Sequence, residues 1–212
     1  AGSLDKMTAV LPPERRERAA RFSHYNDRVV SVVTACVAYY ALCAGETDSR
    51  LCYIEPASLI DKIDSLKDLA DKIGWHTGRY GKPFEDGISI NGRKLYISPS
   101  HSGGLAAAAV SSEPVGIDLQ LIPDIPAKRI FNIMSRFHPS ERSFIESVPE
   151  TELNERFCRL WSCKESVMKL CGRGLSLPLS DFCVENDSCN MNGRRIMIKV
   201  DSLQDAYLAT AQ

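Results

Sequence analysis

The chain has 212 residues, of which 44% are hydrophobic and 25% are charged, and this length suits one large domain or two smaller ones. Its 26 basic and 27 acidic residues give a net charge of -1, which argues against a non-specific nucleic-acid binder because such proteins need a basic excess. No segment approaches the roughly 18 uninterrupted apolar residues of a membrane span, and no signal-peptide pattern opens the chain. The eight cysteines form no C-x-x-C pair, so we expect a reduced cytoplasmic protein with no membrane anchor.

The N-terminal part of the chain predicts helices. A Pro-Pro pair starts a helix over residues 12–43, with a break near 26–27, because proline suits the first helical turn. The second half of that stretch is an apolar run interrupted by Ser and Thr, which fits a buried helix. Apolar residues at helical spacing predict an amphipathic helix over 58–73, and the segment 78–87 is rich in turn residues.

Short strands and further helices follow. Two apolar runs, 105–110 and 114–122, flank a Ser-Ser-Glu segment and predict a hairpin of buried strands. The remaining elements are predicted helices at 126–137, 139–147 and 157–171 and predicted strands at 180–185, 194–200 and 206–211. Each half contains helices followed by strands, so we expect an α+β protein of two similar-sized subdomains, residues 1–112 and 113–212.

The long helix contains WSCKESVMK and carries a lysine within its apolar face. Lys164 falls near the centre of the apolar arc, and Glu165 and Lys169 lie one turn apart on its margin beside Trp161. Two structural explanations are available. A lysine can lay its methylenes along apolar surface, and a Glu followed four residues later by Lys stabilises a helix surface. The functional alternative is a binding or catalytic site that uses the charges of Lys164, Glu165 and Lys169.

The segment Gly-Ile-Asp-Leu-Gln predicts a strand with polar residues on one side. Asp118 and Gln120 face the same way, and Gly116 leaves space beside them. A carboxylate in an apolar strand is costly unless it is paired. Asp118 is therefore either a strand-end acceptor of backbone hydrogen bonds or an oxygen ligand for Mg²⁺, for which Glu165 would supply a second carboxylate.

Two further clusters could bind an anion. Residues 100–104, Ser-His-Ser-Gly-Gly, combine hydroxyls, a histidine and paired glycines, which fits either an anion-binding turn or a turn capped by His101. Arg15, Arg18 and neighbouring arginines in the first helix, with Lys82 in a Gly-Lys-Pro turn, form a basic cluster. Its alternative explanation is a solvated surface whose charges pair with nearby glutamates.

Taken in order along the chain, PERRERAARF, GKP, SHSGG, VGIDLQ and LWSCKESVMKLCGRGLSLPL resemble the Sfp-type 4′-phosphopantetheinyl transferases. The most specific part is G-I-D followed later by W-x-x-K-E-S-x-x-K, and the K-E-S form is similar to the branch associated with secondary-metabolite carrier proteins. The resemblance implies a monomer of two pseudo-symmetric α+β halves with coenzyme A between them. It also implies that the phosphopantetheine arm of coenzyme A moves to a serine of an apo acyl or peptidyl carrier protein, releasing 3′,5′-ADP.

The same resemblance implies roles for individual residues. Asp118 and Glu165, with Gln120, would hold Mg²⁺ or Mn²⁺ against the pyrophosphate, and Glu165 or a water that it orients would take the serine proton. The residues expected to contact coenzyme A are Arg15, Arg18, Ser31, Lys82, Ser100, His101, Lys164 and Lys169. Lys169 would stabilise charge on the leaving phosphate, and Lys164 would point toward the phosphates. Phosphoryl transfer needs this kind of alignment and charge neutralisation more than covalent help.

The sequence departs from the family pattern at three places. Gln120 stands where many relatives carry a third acidic ligand, so we expect weaker Mg²⁺ binding. Val29 and Val30 stand where relatives usually carry polar residues, which would alter the binding of the 3′-phosphate of coenzyme A. The strand expected before Leu11 is short.

Two other function classes compete with the transferase. One is a catalytically silent module on the same fold that binds coenzyme A or a carrier protein. The retained Asp118, Glu165 and Lys169 favour an active enzyme over such a module. The other is a general phosphate-binding regulator, for which the chain lacks a Walker-type loop.

Overall fold

The computed structural model describes residues 2–45 and 51–212, and the chain divides into two compact units, Ala1–Pro114 and Val115–Gln212. Unit 1 contains helices α1 (Ser3–Val10), α2 (Pro13–Ala20), α3 (Tyr25–Ala44), α4 (Pro56–Asp61) and α5 (Ile63–Ile73) and strands β1 (Ile88–Ile90), β2 (Arg93–Ser102) and β3 (Leu105–Ser111). The three strands form an antiparallel sheet in the order β1-β2-β3. Helices precede strands in this unit, as the sequence predicts.

Helix α3 is the central element of unit 1. It packs against β2 and β3, and its side chains Val32, Ala35 and Tyr39 are fully buried in the core. The Tyr39 hydroxyl donates a 2.6 Å hydrogen bond to the carbonyl of Gly74, which joins α3 to the end of α5. Among the described residues, α3 alone is long and apolar enough to cross a membrane by length and composition. Its burial confirms the predicted core helix.

Three predictions for the N-terminal half need correction. The helix expected over 12–43 is interrupted at residues 21–24, earlier than predicted, and the helix expected over 58–73 is divided at Lys62. The family-based expectation of a strand before Leu11 is wrong, because α1 occupies that part of the chain. Local periodicity identifies helical stretches well, but short interruptions depend on how consecutive helices pack.

Unit 2 contains a larger sheet and the long helix. Its elements are β4 (Gly116–Leu121), α6 (Ala127–Met134), α7 (Pro139–Glu146), α8 (Glu150–Leu170), a short 3-10 helix (Gly174–Ser176), β5 (Val184–Glu185), β6 (Ser188–Met191), β7 (Arg194–Ser202) and β8 (Ala206–Ala211). The five strands form an antiparallel sheet in the order β4-β8-β7-β6-β5. The structure thus confirms an α+β fold, with sheets of three and five strands in its two units.

The predicted hairpin between 105–110 and 114–122 is wrong. Strand β3 pairs with β2 along its whole length, whereas β4 pairs with β8 from the end of the chain. The two apolar runs are strands, as expected, but neither is the partner of the other. Apolar pattern identifies a strand without identifying its neighbour, and β2 was hidden by its proline and polar residues.

Strand β4 lies unusually close to α8 because Gly116 has no side chain. A Cβ atom built on Gly116 would overlap the carbonyl oxygen of Ser166 and the backbone nitrogen of Leu170. The backbone of a helix cannot move aside as a flexible side chain can. Gly116 therefore sets the distance between the strand that carries Asp118 and the helix that carries Glu165.

We predict that Gly116→Ala lowers the free energy of unfolding by about 3 kcal/mol, since the added methyl group must push two backbone segments apart. Urea denaturation measures the change. Gly104→Ala is the matched control, because a Cβ atom at that position meets nothing within 4 Å. Equal stability losses for the two variants would contradict the close-packing explanation.

Candidate active site

An ion pair between β4 and α8 lies at the centre of the candidate site. The Nζ atom of Lys169 lies 2.7 Å from Oδ1 of Asp118, whose side chain is 8% exposed against 27% for Lys169. The Ser162 hydroxyl also donates to the backbone carbonyl of Asp118, at 3.1 Å. Ser162 and Lys169 are two helical turns apart, so one face of α8 holds Asp118 through two separate contacts.

Glu165 lies between these contacts on α8 and is electrostatically coupled to Asp118. Partial burial raises the pKa of Glu165, the negative charge of Asp118 raises it further, and the positive charge of Lys169 lowers it. A partly buried carboxylate whose ionisation is disfavoured by a second carboxylate and favoured by a nearby ammonium group is a pattern common at functional sites. The structure therefore brings Asp118, Glu165 and Lys169 together.

The donor atoms at this site suit a hard divalent cation. Mg²⁺ is commonly bound by one or two carboxylates together with phosphate oxygens and water, and Asp118 and Glu165 supply two carboxylates. Gln120 follows Asp118 on the same face of β4, and its side-chain nitrogen donates to the carbonyl of Leu121 at 2.7 Å. Within residues 2–45 and 51–212, no group of three or more His, Cys, Asp or Glu residues could hold a metal. A metal at Asp118 and Glu165 would thus depend on oxygens from a ligand or from Gln120.

Lys164 does not point toward this site, so its predicted contact with phosphates is wrong. Its fully buried Nζ lies 2.9 and 2.7 Å from the two carboxylate oxygens of Glu141 and donates to the carbonyl of Phe182 at 2.8 Å. The ammonium group also lies over the rings of Phe182 and Phe137, at 3.9 and 5.1 Å. Burial lowers the pKa of Lys164, and the charge of Glu141 opposes that effect. The lysine lies in the apolar face because a buried carboxylate meets it there.

The sequence reasoning missed Glu141, which joins three elements of unit 2. Its carboxylate accepts the backbone N–H of His138 at the start of α7 and the N–H of Val184 in β5, at 3.2 and 2.8 Å. With the bond from Lys164, this carboxylate connects α7, α8 and β5. The His-Pro-Ser-Glu sequence carried a usable signal, because Glu at the third helical position is typical of a capping box.

In unit 1, Arg15 and Ser31 contact each other directly. Nη2 of Arg15 donates to the carbonyl and the hydroxyl of Ser31, at 2.9 and 3.3 Å, and the guanidinium lies 4.7 Å from the ring centroid of Trp75. Burial, and to a smaller extent the charge of Arg18, lower the pKa of Arg15 to about 10. Trp75 was not expected from the sequence. The exposed Arg18 lies one turn further along α2.

The remaining predicted contacts with coenzyme A lie on β2 and in a turn. Ser100 and His101 were expected in one anion-binding turn, but both belong to β2, where neighbouring side chains face opposite sides. Ser100 is buried and His101 is exposed, so the two side chains project from opposite faces of β2, and their contacts with coenzyme A stay predictions. Lys82 lies in the predicted turn, where its carbonyl accepts the N–H of Gly78 at 2.9 Å.

Comparisons with known proteins point to one family. Residues 114–209 match the model of the 4′-phosphopantetheinyl transferase superfamily. The chain is 31% identical over 194 residues to a 4′-phosphopantetheinyl transferase of Bacillus subtilis, covering 87% of this chain and 70% of that protein. It is 29% identical over 209 residues to the 4′-phosphopantetheinyl transferase Sfp of Bacillus subtilis strain 168, covering 97% of this chain and 79% of that protein.

A solved structure also matches part of the chain. It is a holo-(acyl-carrier-protein) synthase from Bacillus anthracis in complex with CoA (3′,5′-ADP), at 19% identity and a TM-score of 0.37. The match covers 46% of this chain and 92% of that one.

We predict that Lys164→Met destabilises the protein by about 3–5 kcal/mol, because it leaves the Glu141 carboxylate buried without its counter-charge. Thermal and urea unfolding measure the loss. The control is Arg156→Met, which removes an exposed pair with Glu152 on the same helix and should cost less than about 1 kcal/mol. The explanation fails if Lys164→Met is as stable as this control.

Proposed function

This chain belongs to the 4′-phosphopantetheinyl transferase superfamily, and we propose that Asp118, Glu165 and Lys169 form the centre at which it transfers the phosphopantetheine arm of coenzyme A to a carrier protein. The single observation that carries this assignment is the ion pair of Lys169 with Asp118 beside the coupled carboxylate of Glu165. It joins a β-strand to a helix 51 residues away in sequence. The arrangement brings two carboxylates and one ammonium group together, whereas a purely structural ion pair needs only one of each.

The reaction needs charge neutralisation around a pyrophosphate. The carrier serine oxygen forms a bond to the phosphorus that bears the pantetheine, and the bond from that phosphorus to the 3′,5′-ADP oxygen breaks. Asp118, Glu165 and the Gln120 carbonyl oxygen are the residues that would hold Mg²⁺ or Mn²⁺. When bound, the cation would supply positive charge to the pyrophosphate oxygens.

The residues of this chain have separate tasks in that step. Lys169 offers its ammonium group to the departing 3′,5′-ADP, and Asp118 keeps that group at the edge of β4. Glu165, or a water that it orients, accepts the proton of the serine hydroxyl. A carboxylate is a common type of general base for a hydroxyl group, which suits this role.

The partners follow from the same chemistry. The acceptor is the serine hydroxyl of an apo acyl or peptidyl carrier protein, and coenzyme A is the donor. The enzyme acts as a cytoplasmic monomer. The presence of both acids and of Lys169 supports catalysis over a silent binding module, because such a module gains nothing from keeping all three.

We predict that Glu165→Ala abolishes the transfer, since it removes both a cation ligand and the proton acceptor. The assay incubates the protein with coenzyme A, Mg²⁺ and an apo carrier protein and measures the mass of the carrier. Wild-type protein should add the mass of one phosphopantetheine arm. Glu152→Ala, an exposed glutamate on the same helix, should behave like wild type. Normal transfer by Glu165→Ala would contradict the assigned centre.

We predict that Gln120→Glu tightens Mg²⁺ binding, because a third carboxylate adds negative charge to the two acids already present. Titration of the Mg²⁺ dependence of transfer gives the concentration at half-maximal rate for each protein. This concentration should fall several-fold in the variant. Superimposable titration curves would show that Gln120 does not contribute to the cation site.

A further inference from the structure

Arg15 is a buried cation of unit 1 that has no acidic partner. Only 8% of its surface is exposed, and none of the ion pairs within residues 2–45 and 51–212 includes it. Its buried Nε donates no hydrogen bond in that part of the chain. The pKa of Arg15 is lowered, mainly by burial, to about 10, so the guanidinium stays charged at neutral pH. A buried charge is costly unless an opposite charge meets it, so Arg15 is suited to receive an anionic ligand.

The aromatic ring of Trp75 holds this cation in place. The guanidinium carbon of Arg15 lies 4.7 Å from the ring centroid, and Trp75 is itself buried. Arginine stacks readily on aromatic faces, and the attraction is stronger where both groups are shielded from water. A carboxylate at the same place would neutralise the guanidinium, whereas a ring attracts it without cancelling its charge. We propose that Trp75 is a positioning residue that holds Arg15 for the 3′-phosphate of coenzyme A, an inference that rests on the function proposed above.

Two further aromatic side chains fix the ring of Trp75. Tyr39 on α3 meets it edge-on, with 5.7 Å between the ring centroids and 66° between the ring planes. Phe84 packs against it with 5.5 Å between the centroids. The Tyr39 hydroxyl also donates a hydrogen bond to the carbonyl of Gly74, the residue before Trp75. A ring held by its neighbours and by its backbone has little freedom to turn, so it is a rigid support for Arg15.

Ser31 restrains the guanidinium in a second way. Nη2 of Arg15 donates to the carbonyl and to the hydroxyl of Ser31, at 2.9 and 3.3 Å. The ring restrains the position of the guanidinium carbon, and the two hydrogen bonds restrain the rotation of the group. In the described part of the chain, Nη1 takes part in no hydrogen bond. It therefore remains a donor for a phosphate oxygen, which binds arginine through short, charge-assisted hydrogen bonds.

The 3′-phosphate is the anionic group of coenzyme A that remains for Arg15. The proposed centre of Asp118, Glu165, Lys169 and a divalent cation would neutralise the pyrophosphate. In unit 1, the charge of Arg18 contributes to the lowered pKa of Arg15, so the two arginines repel each other. A phosphate monoester carries about two negative charges near neutral pH, and its binding would offset this repulsion.

Packing alone is the competing explanation of the contact between Arg15 and Trp75. An arginine can lie over an apolar ring simply to cover it. In that case, loss of the ring lowers stability and weakens every ligand alike. If Trp75 positions Arg15, loss of the ring weakens only the ligands that carry the 3′-phosphate. The two explanations therefore differ in a ratio of affinities.

The test compares coenzyme A with dephospho-coenzyme A, which lacks the 3′-phosphate. Calorimetry measures both Kd values for wild type, Trp75→Leu, Trp75→Phe and Leu59→Ala. Trp75→Leu should raise the Kd of coenzyme A about tenfold, because a shielded cation–π contact is lost, and should leave the Kd of dephospho-coenzyme A unchanged. Trp75→Phe keeps a weaker ring and should raise the Kd of coenzyme A by a smaller factor. Leu59→Ala removes apolar bulk from α4 in the same core, so it should lower thermal stability but keep the wild-type ratio of the two Kd values.

Each other result overturns the inference. Equal weakening of both ligands by Trp75→Leu would show a packing role, and unchanged binding of coenzyme A would show that the ring is not needed. Equal affinity of wild type for the two ligands would show that the 3′-phosphate does not meet Arg15. A changed ratio in Leu59→Ala would show that lost core packing is sufficient.

Two further readouts keep the test decisive. If Trp75→Leu does not fold, Trp75→Phe decides alone, and a wild-type ratio of the two Kd values in that variant overturns the inference. The carrier-modification assay separates the two proposals. Wild type that transfers the arm while Trp75→Leu keeps the wild-type ratio would refute only the role of Trp75.

Discussion

The contact between β4 and α8 determines the geometry of the candidate active site. Gly116 lets the strand approach the helix backbone, and Asp118, two residues further on the same face, meets Ser162 and Lys169. Since Glu165 lies between those two helical residues, the same approach brings the second carboxylate near the first. A larger residue at position 116 would move Asp118 on β4 away from both Glu165 and Lys169 on α8. Packing and chemistry therefore both depend on the absence of a side chain at Gly116.

Two lysines on α8 show how environment decides the role of a charge. Lys164 is fully buried, and its ammonium group is balanced by Glu141 and by the carbonyl of Phe182. Lys169 is partly exposed and pairs with Asp118 at the site. A buried charge must be fully paired to be tolerated, which leaves Lys164 no capacity for a ligand. A partly exposed charge can interact with protein and substrate in turn, which makes Lys169 the lysine suited to catalysis.

Much of the local structure was predictable. Periodicity and turn residues identified α3, α5, α6, α7, α8 and most strands of unit 2, because the apolar face of a helix or strand leaves a regular pattern in the sequence. Strand pairing was not predictable in this way. Strand β4 pairs with β8 near the end of the chain, and β3 pairs with the unpredicted β2, so the expected hairpin does not form. A strand's pattern records its burial but not which neighbour supplies its hydrogen bonds.

The sequence by itself determined the family, the helix and strand that carry Asp118, Glu165 and Lys169, and the uncommon amide at Gln120, since each depends on residue type and local spacing. Only the tertiary structure decided what those side chains meet. It assigned Lys164 to Glu141, joined Arg15 to Ser31, and separated Ser100 from His101 on opposite faces of β2. These outcomes depend on contacts between distant segments, whose energies arise from burial and close packing that no local pattern encodes.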